Sequence, residues 1–183
     1  MNPAGIITTV AGTGTNGFSG DNGPATSANL GLTLSVVLPI NIAVDLAGNI
    51  FIPDAANHRV RKVAAGTGVI TTVAGTGVAG ATGDGGPAVS ASLNQPLGVA
   101  VDAAGNLYIA DQQNSRIRRV GTNGIISTVA GRATRGFFGD VGQSSQMVRQ
   151  HDPNHFSVCT STDSTAGRSR TMAVQVSPAS EDP

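Results

Sequence analysis

Gly12, Gly14 and Gly17 stand in the spacing G-x-G-x-x-G directly after the strand-like run "GIITTV". Glycines so placed between a strand and a helix let the backbone approach a pyrophosphate and aim amide groups at it. That chemistry needs a helix opening straight after the glycines, with a crossover of roughly a dozen residues or more to a parallel strand. Here Phe18, Ser19, Gly20, Asp21, Asn22, Gly23 and Pro24 follow, so two more glycines and a proline fall where the first turns of that helix would run. The same spacing returns at Gly75, Gly77 and Gly80. Two copies in one chain argue for a structural linker. Asp102, 22 residues after Gly80, has the spacing of a ribose-binding acid, but it sits at the entrance of the turn "VDAAGN".

Other residues could carry chemistry. Asp21, Asp84 and Asp140 lie in "GD" loops, and oxygen-rich, glycine-bent loops suit calcium. One carboxylate per loop falls short of the six to eight oxygens such an ion takes, and capping a turn amide is the commoner use of an Asp there. Calcium at Asp21 and Asp84 is the sole metal expectation, and no cofactor is expected. His58 occupies the turn position that Ser115 holds later, which argues against a lone catalytic or ligand histidine. His151 and His155 are spaced for a metal on a helix, but Pro153 between them disfavours the helix. "GFSGD" is not the G-x-S-x-G elbow, and no serine, histidine and acid set stands out. Arg59, Arg61 and Lys62, with Arg116, Arg118 and Arg119, form two basic clusters. Stacking aromatics are scarce, so a solvated or salt-bridged edge strand is expected there and no nucleic-acid face.

The elements that position these residues follow from composition and repetition. The chain of 183 residues is 39% hydrophobic and 12% charged, enough apolar material for a core. Twenty-five glycines with five Phe, one Tyr and no Trp point to tight turns and small-residue strands. Lys and Arg together number eleven, as do Asp and Glu, so no global field steers nucleic acid or an anionic membrane. Cys159 is the single cysteine, which excludes an internal disulfide and a cysteine-based metal cluster. No apolar run approaches about 18 residues, so no membrane span is expected, and "MNPAGIITTV" reads without a signal peptide.

"GIITTVAGTG" at Gly5 returns as "GVITTVAGTG" at Gly68 and "GIISTVAGRA" at Gly124. "SGDNGPATSANL" returns as "TGDGGPAVSASL", and "FGDVGQSSQ" starts a decayed third copy. "PINIAVDLAGNIFIPDAANHRVRKV", Pro39 to Val63, matches "PLGVAVDAAGNLYIADQQNSRIRRV", Pro96 to Val120. The unit is about 56 residues, lengthened in its first copy by "GLTLSVVL". Each unit reads as four short strands paired as hairpins, from Ile40, Asn49, Arg59 and Val69, then from Leu97, Asn106, Arg116 and Ile125. Asp45 with Gly48 and Asn49, and Asp102 with Gly105 and Asn106, supply a side-chain acceptor and a positive φ to one turn. Asn57 and Asn114 are expected to take the left-handed conformation of the next turn.

"INIAV", "GVAV" and "LYIA" are apolar on both faces. A sheet with one wet face would alternate, so both faces must be covered. Without useful helices, sheets must stack on sheets, which for four-stranded repeats points to blades of a β-propeller, with a β-helix, whose coils repeat over far fewer residues, as the alternative.

These repeats resemble the NHL family: a proline, a Gly-Val-Ala-Val-Asp strand, a Gly-Asn turn, a Tyr-Ile-Ala-Asp strand and an Asn-x-Arg-Ile strand, all present in Pro96 to Val120. The "TVAGTG…GDGGPA" loop is similar to that of bacterial NHL proteins and of the teneurin propeller. Asn41 and Pro53 depart from the pattern, and Pro53 weakens pairing along one strand edge. The resemblance implies a six-bladed, TolB-like propeller, of which this chain supplies a leading strand and two blades, about 39–74 and 96–130, with linkers 12–38, 75–95 and 131–140.

Two blades leave apolar faces that missing blades or homo-oligomerisation must cover. From Val141 to Pro183 the repeat stops, and this tail is expected to be disordered or out of frame. The resemblance implies a non-enzymatic protein- or glycan-binding scaffold in a secreted or cell-surface bacterial protein. His58, Arg59, Ser115 and Arg116 are candidates for its binding face. A piece of a propeller-fold lyase or lactonase, and a decayed gene fragment, are the alternatives.

Overall fold

The computed structural model describes residues 5–32, 40–131, 156–157 and 175–176. The chain divides into units 1–133 and 134–183. In the second, β9 (Phe156–Ser157) and β10 (Gln175–Val176) pair antiparallel. The rest of the 141–183 expectation, with Asp140, His151 and His155, lies outside the described residues, as does most of the "GLTLSVVL" insertion.

The described residues of the first unit hold two four-stranded antiparallel blades in meander order, an all-β partial propeller. Blade 1 is β1 (Ala43–Val44), β2 (Ile50–Asp54), β3 (Arg59–Val63) and β4 (Ile70–Ala74). Blade 2 is β5 (Pro96–Val101), β6 (Leu107–Asp111), β7 (Arg116–Val120) and β8 (Ile126–Gly131). β1 pairs with β2 over two residues and stops short of Pro53, whereas β5 continues past the equivalent Ala110. A proline has no N–H for that ladder, as the sequence implies.

Registers assign side chains to faces, because alternate residues point to opposite sides. Ile50↔Val63, Ile52↔Arg61 and Val63↔Ile70 share one face of blade 1, while Pro53↔Val60 and Val60↔Ala74 share the other with Phe51. The first face packs on its linker, where Ile52, Val63 and Ile70 bury Ala25, Ala28 and Leu30. On the second, Phe51, Val60 and Ala74 join one core with Leu93 of the next linker and Val99, Leu107, Ile109 and Ile126 of blade 2. Each fully buried Ile or Leu contributes about 1.5–3 kcal/mol, so the stacked faces hold the blades together, as their two-sided apolar sequence requires.

Each linker folds back on the blade that follows it. Asn22 N–H donates to the Ile70 carbonyl and Ile70 N–H to that of Gly23; Gly85 and Ile126, then Ile126 and Gly86, repeat the exchange in blade 2. Gly20 and Gly83 permit this approach: a Cβ on Gly83 would lie 2.6 Å from Ala91 Cα, and one on Gly20 2.7 Å from Ala28 Cα. The opening glycine motif is thus the start of a blade-wrapping linker.

Candidate functional site

The β1–β2 and β5–β6 turns match the expected geometry. Asp45 Oδ1 accepts from the amides of Ala47 and Asn49 at 3.0 and 2.8 Å, and its Oδ2 from Asn49 Nδ2 at 2.7 Å. Asp102 holds Asn106 likewise, and Gly48 and Gly105 take φ of 82° and 86°. Burial pushes the Asp45 carboxyl up, but its Asn49 and Ala47 bonds outweigh this and hold it below the usual carboxylate range.

The next turn corrects the sequence reading. Short 3-10 helices Ala55–Asn57 and Gln112–Asn114 connect the middle strands, and the left-handed residues are His58 and Ser115, at φ 53° and 52°. Asn57 and Asn114 instead spend their side chains on linker carbonyls: Asn57 Nδ2 donates to Gly17 O and Asp54 Oδ1, both at 2.7 Å. Asn114 Nδ2 donates to Gly80 O at 2.6 Å and Asp111 Oδ2 at 2.7 Å. These two helical turns end in a left-handed residue, a common helix exit, which moves the positive φ one place on.

Around these asparagines stands a charged cluster that occurs once per blade. Arg61, fully buried on β3, reaches Asp21 Oδ1 at 2.8 Å through Nη2 and Asp54 Oδ2 at 3.3 Å through Nη1. It also donates to the Ser19 carbonyl. Asp54 Oδ1 accepts from Gly31 N–H at 2.6 Å, and Thr72 Oγ1 donates to Asp21 Oδ2 at 2.6 Å. Arg118 repeats the arrangement with Asp84 at 2.7 Å, Asp111 at 3.4 Å and the carbonyls of Ser92 and Thr82. Asp111 Oδ1 accepts from Asn94 N–H at 2.7 Å.

Electrostatics differ between the two acids of each cluster. Burial dominates at Asp54 and Asp111 and raises their pKa, although amide, Asn and Arg donors oppose it. Asp84 is held low: burial raises it, but contacts with Thr128 and the Arg118 charge prevail. Tyr108 is raised, first by burial and then by the Asp102 charge.

Asp21 and Asp84, the calcium candidates, therefore each face a guanidinium. Among the described residues no group of three or more His, Cys, Asp or Glu is placed to hold a metal ion. The expected solvated or salt-bridged edge strand is half corrected: β3 and β7 are interior strands, and their central arginines are buried in ion pairs. A buried guanidinium persists only with such partners, because desolvation otherwise costs more than the attraction returns.

His58, Arg59, Ser115 and Arg116 all sit at the linker edge of the blades. His58 Nδ1 accepts from Gln95 N–H at 3.1 Å. Arg59 donates to Thr76 O at 2.5 Å and stacks 3.8 Å from the Phe18 ring centroid. Arg116 donates to Ala81 O at 3.0 Å, and Ser115 is exposed. The Asp–Arg–Asp clusters escaped the sequence reading. Their signal was there: Asp21 and Asp84, Asp54 and Asp111, and Arg61 and Arg118 recur at matching repeat positions.

Residues 77–148 match the model of the Teneurin NHL domain, and the NHL reading is borne out for these repeats. The chain is 35% identical over 97 residues to Protein SUPPRESSOR OF QUENCHING 1, chloroplastic, of Arabidopsis thaliana, covering 52% of this chain and 9% of that protein. It is 38% identical over 98 residues to Teneurin-4 of Mus musculus, covering 47% of this chain and 4% of that one. It thus spans under a tenth of the length of these relatives. Among solved structures it is similar to a Bacteroides thetaiotaomicron protein of unknown function (TM-score 0.42, 25% identity, 52% of this chain and 22% of that one). It is also similar to virginiamycin B lyase from Staphylococcus aureus (TM-score 0.36, 16% identity, 49% and 26%). No helix among the described residues is long and apolar enough to cross a membrane.

Proposed function

We propose that this chain is a segment of a non-enzymatic NHL propeller that presents a protein- or glycan-binding surface at the linker edge of its blades. A secreted or cell-surface setting in a bacterium belongs to the same proposal. The observation that carries it is the duplication of the charged cluster: Arg61 with Asp21 and Asp54, and Arg118 with Asp84 and Asp111. Groups that could act as acid, base or ligand are spent, at the same place in each blade, on fastening linker to sheet. A catalytic set is specific to one position, because substrate meets one geometry.

The linker edge offers exposed Ser115 and half-buried His58, Arg59 and Arg116, backed by a rigid sheet. Such loops on a fixed scaffold are the usual place for recognition. The test is a paired assay on the full-length chain: immobilised glycans and protein ectodomains on one side, ester and lactone substrates on the other. Saturable binding that weakens in Ser115→Arg, without turnover, is expected. Turnover that disappears in His58→Ala would overturn the reading in favour of an enzyme.

A further inference from the structure

Two left-handed residues meet where blade 1 touches the lead-in to β5. His58 stands at φ 53° at the exit of its helical turn, and Gln95 at φ 51° just before β5. His58 Nδ1 accepts the Gln95 N–H at 3.1 Å, a bond that crosses from blade 1 to the linker of blade 2. Both residues are half-buried. Neither has a counterpart in the other repeat: Ser115 stands where His58 would, and "GLTLSVVL" where blade 2 has Asn94 and Gln95.

Gln95 is strained on two counts. A Cβ disfavours its positive φ, and Pro96 directly after it pushes the preceding backbone toward the extended region. Its neighbours are fixed points. Asn94 donates its N–H to Asp111 Oδ1 at 2.7 Å and accepts Gln113 N–H at 3.1 Å, and Pro96 pairs with Asp111 at the start of β5. Beyond them, Asn41 of blade 1 donates its N–H to Leu97 O at 3.1 Å and accepts Val99 N–H on Oδ1 at 2.9 Å. Gln95 lies between these anchors in a conformation its own backbone resists, and such strain persists only where surrounding contacts sustain it. The His58 ring is that contact.

The bond has a chemical condition. Nδ1 accepts only while it carries no proton; with one, it becomes a second donor facing the Gln95 N–H. The charged groups at this end of the blades offer an imidazolium no carboxylate of its own. Arg61 takes both Asp21 and Asp54, and Arg59, next to the ring, has the same sign. Across the junction Arg118 takes both Asp84 and Asp111, and Arg116 is again positive. Asp21 and Asp84 are the sole charged residues of linkers 12–38 and 75–95.

We infer that His58 and Gln95 form a proton-operated latch on the junction between the blades. It is closed while the imidazole is neutral and opens on protonation, when Gln95 relaxes to the extended backbone that Pro96 favours. Opening stays local, because the Asn41 bonds to Leu97 and Val99 contain no titratable group. The freed imidazolium adds its charge to Arg59 at the linker edge, so acid alters both the shape and the charge of that edge. This behaviour is independent of what the edge binds.

The experiment is amide hydrogen exchange on the full-length chain, read by NMR from about pH 8 to 5. As the His58 ring titrates, the protection factor of the Gln95 amide is expected to fall about tenfold, as for the loss of one hydrogen bond, while that of Val99 stays constant. His58→Asn sets a carbonyl oxygen where Nδ1 stood, tolerates the left-handed backbone and has no proton to gain, so in this variant the fall should vanish. His151 and His155 remain in it. A fall that persists there would therefore belong to another group and overturn the inference. So would Gln95 protection that stays flat while the ring titrates, or an equal fall at Val99.

Discussion

Arg118 Nη2 lies 2.7 Å from Asp84 Oδ1 across 34 residues of chain, and Arg61 Nη2 lies 2.8 Å from Asp21 Oδ1 across 40. In each blade one buried guanidinium ties the incoming linker to the middle of the sheet. Its planar fork reaches two carboxylates and linker carbonyls at once, a geometry that a lysine ammonium does not match.

Arg118→Lys is therefore expected to destabilise the protein by about 3 kcal/mol or more, since it leaves Asp111 buried with its charge poorly matched. Urea denaturation checks this. A midpoint within error of wild type would mean that the ion pair is dispensable.

The carboxylates predict opposed pH effects. Asp84 has a folded pKa below 3.8, so its contribution is present above that value and is lost as pH falls through the lowered one. Asp111 is raised, so its contribution is complete below 3.8 and is lost as pH rises through its folded pKa. Urea midpoints measured between about pH 3 and 6 should fall less steeply toward acid in Asp84→Asn than in wild type, and more steeply in Asp111→Asn.

Two glycines separate conformational strain from contact. Gly105→Ala, at φ 86° with Thr122 Cγ2 at 3.5 Å from the new Cβ, should cost about 1–2 kcal/mol for its backbone conformation. Gly83→Ala, at φ 94°, must also displace Ala91, whose Cα lies 2.6 Å away, and should cost about 1–3 kcal/mol more. Equal losses in thermal unfolding would disprove the close approach.

Ser115 holds a left-handed conformation at the exit of its helical turn. Ser115→Gly is expected to gain up to about 1 kcal/mol, part of the relief being offset by unfolded-chain entropy. Ser115→Val should lose about 1–2 kcal/mol, because a β-branched residue is strained there. Chemical denaturation of the pair decides, and a gain in Ser115→Val would contradict the conformation.

Much of this architecture was legible because it is local and repeated. Asp45 and Gly48, like Asp102 and Gly105, announce a turn over a few residues, and the turn forms where they stand. "LYIA" declares two covered faces and Leu107 and Ile109 do join the stacked core, whereas in "INIAV" Ile42 and Val44 are exposed. The left-handed residue falls one place after the asparagine that local preference favours: it is His58, while the side chain of Asn57 is claimed by Gly17 O and Asp54. That competition involves a partner 40 residues away, which no local rule contains.

From the sequence alone followed the repeat length, the four strands of each blade and the need for sheet-on-sheet packing, since period, turn residues and two-sided apolarity act between near neighbours. Tertiary structure alone decided what the charges do. "RVRKV" is compatible with a wet basic strand, but burial removes water from Arg61 and Arg118 and leaves them stable only beside Asp21 with Asp54 and Asp84 with Asp111. Desolvation depends on everything packed around a group, so their role appears when linker, sheet and turn meet.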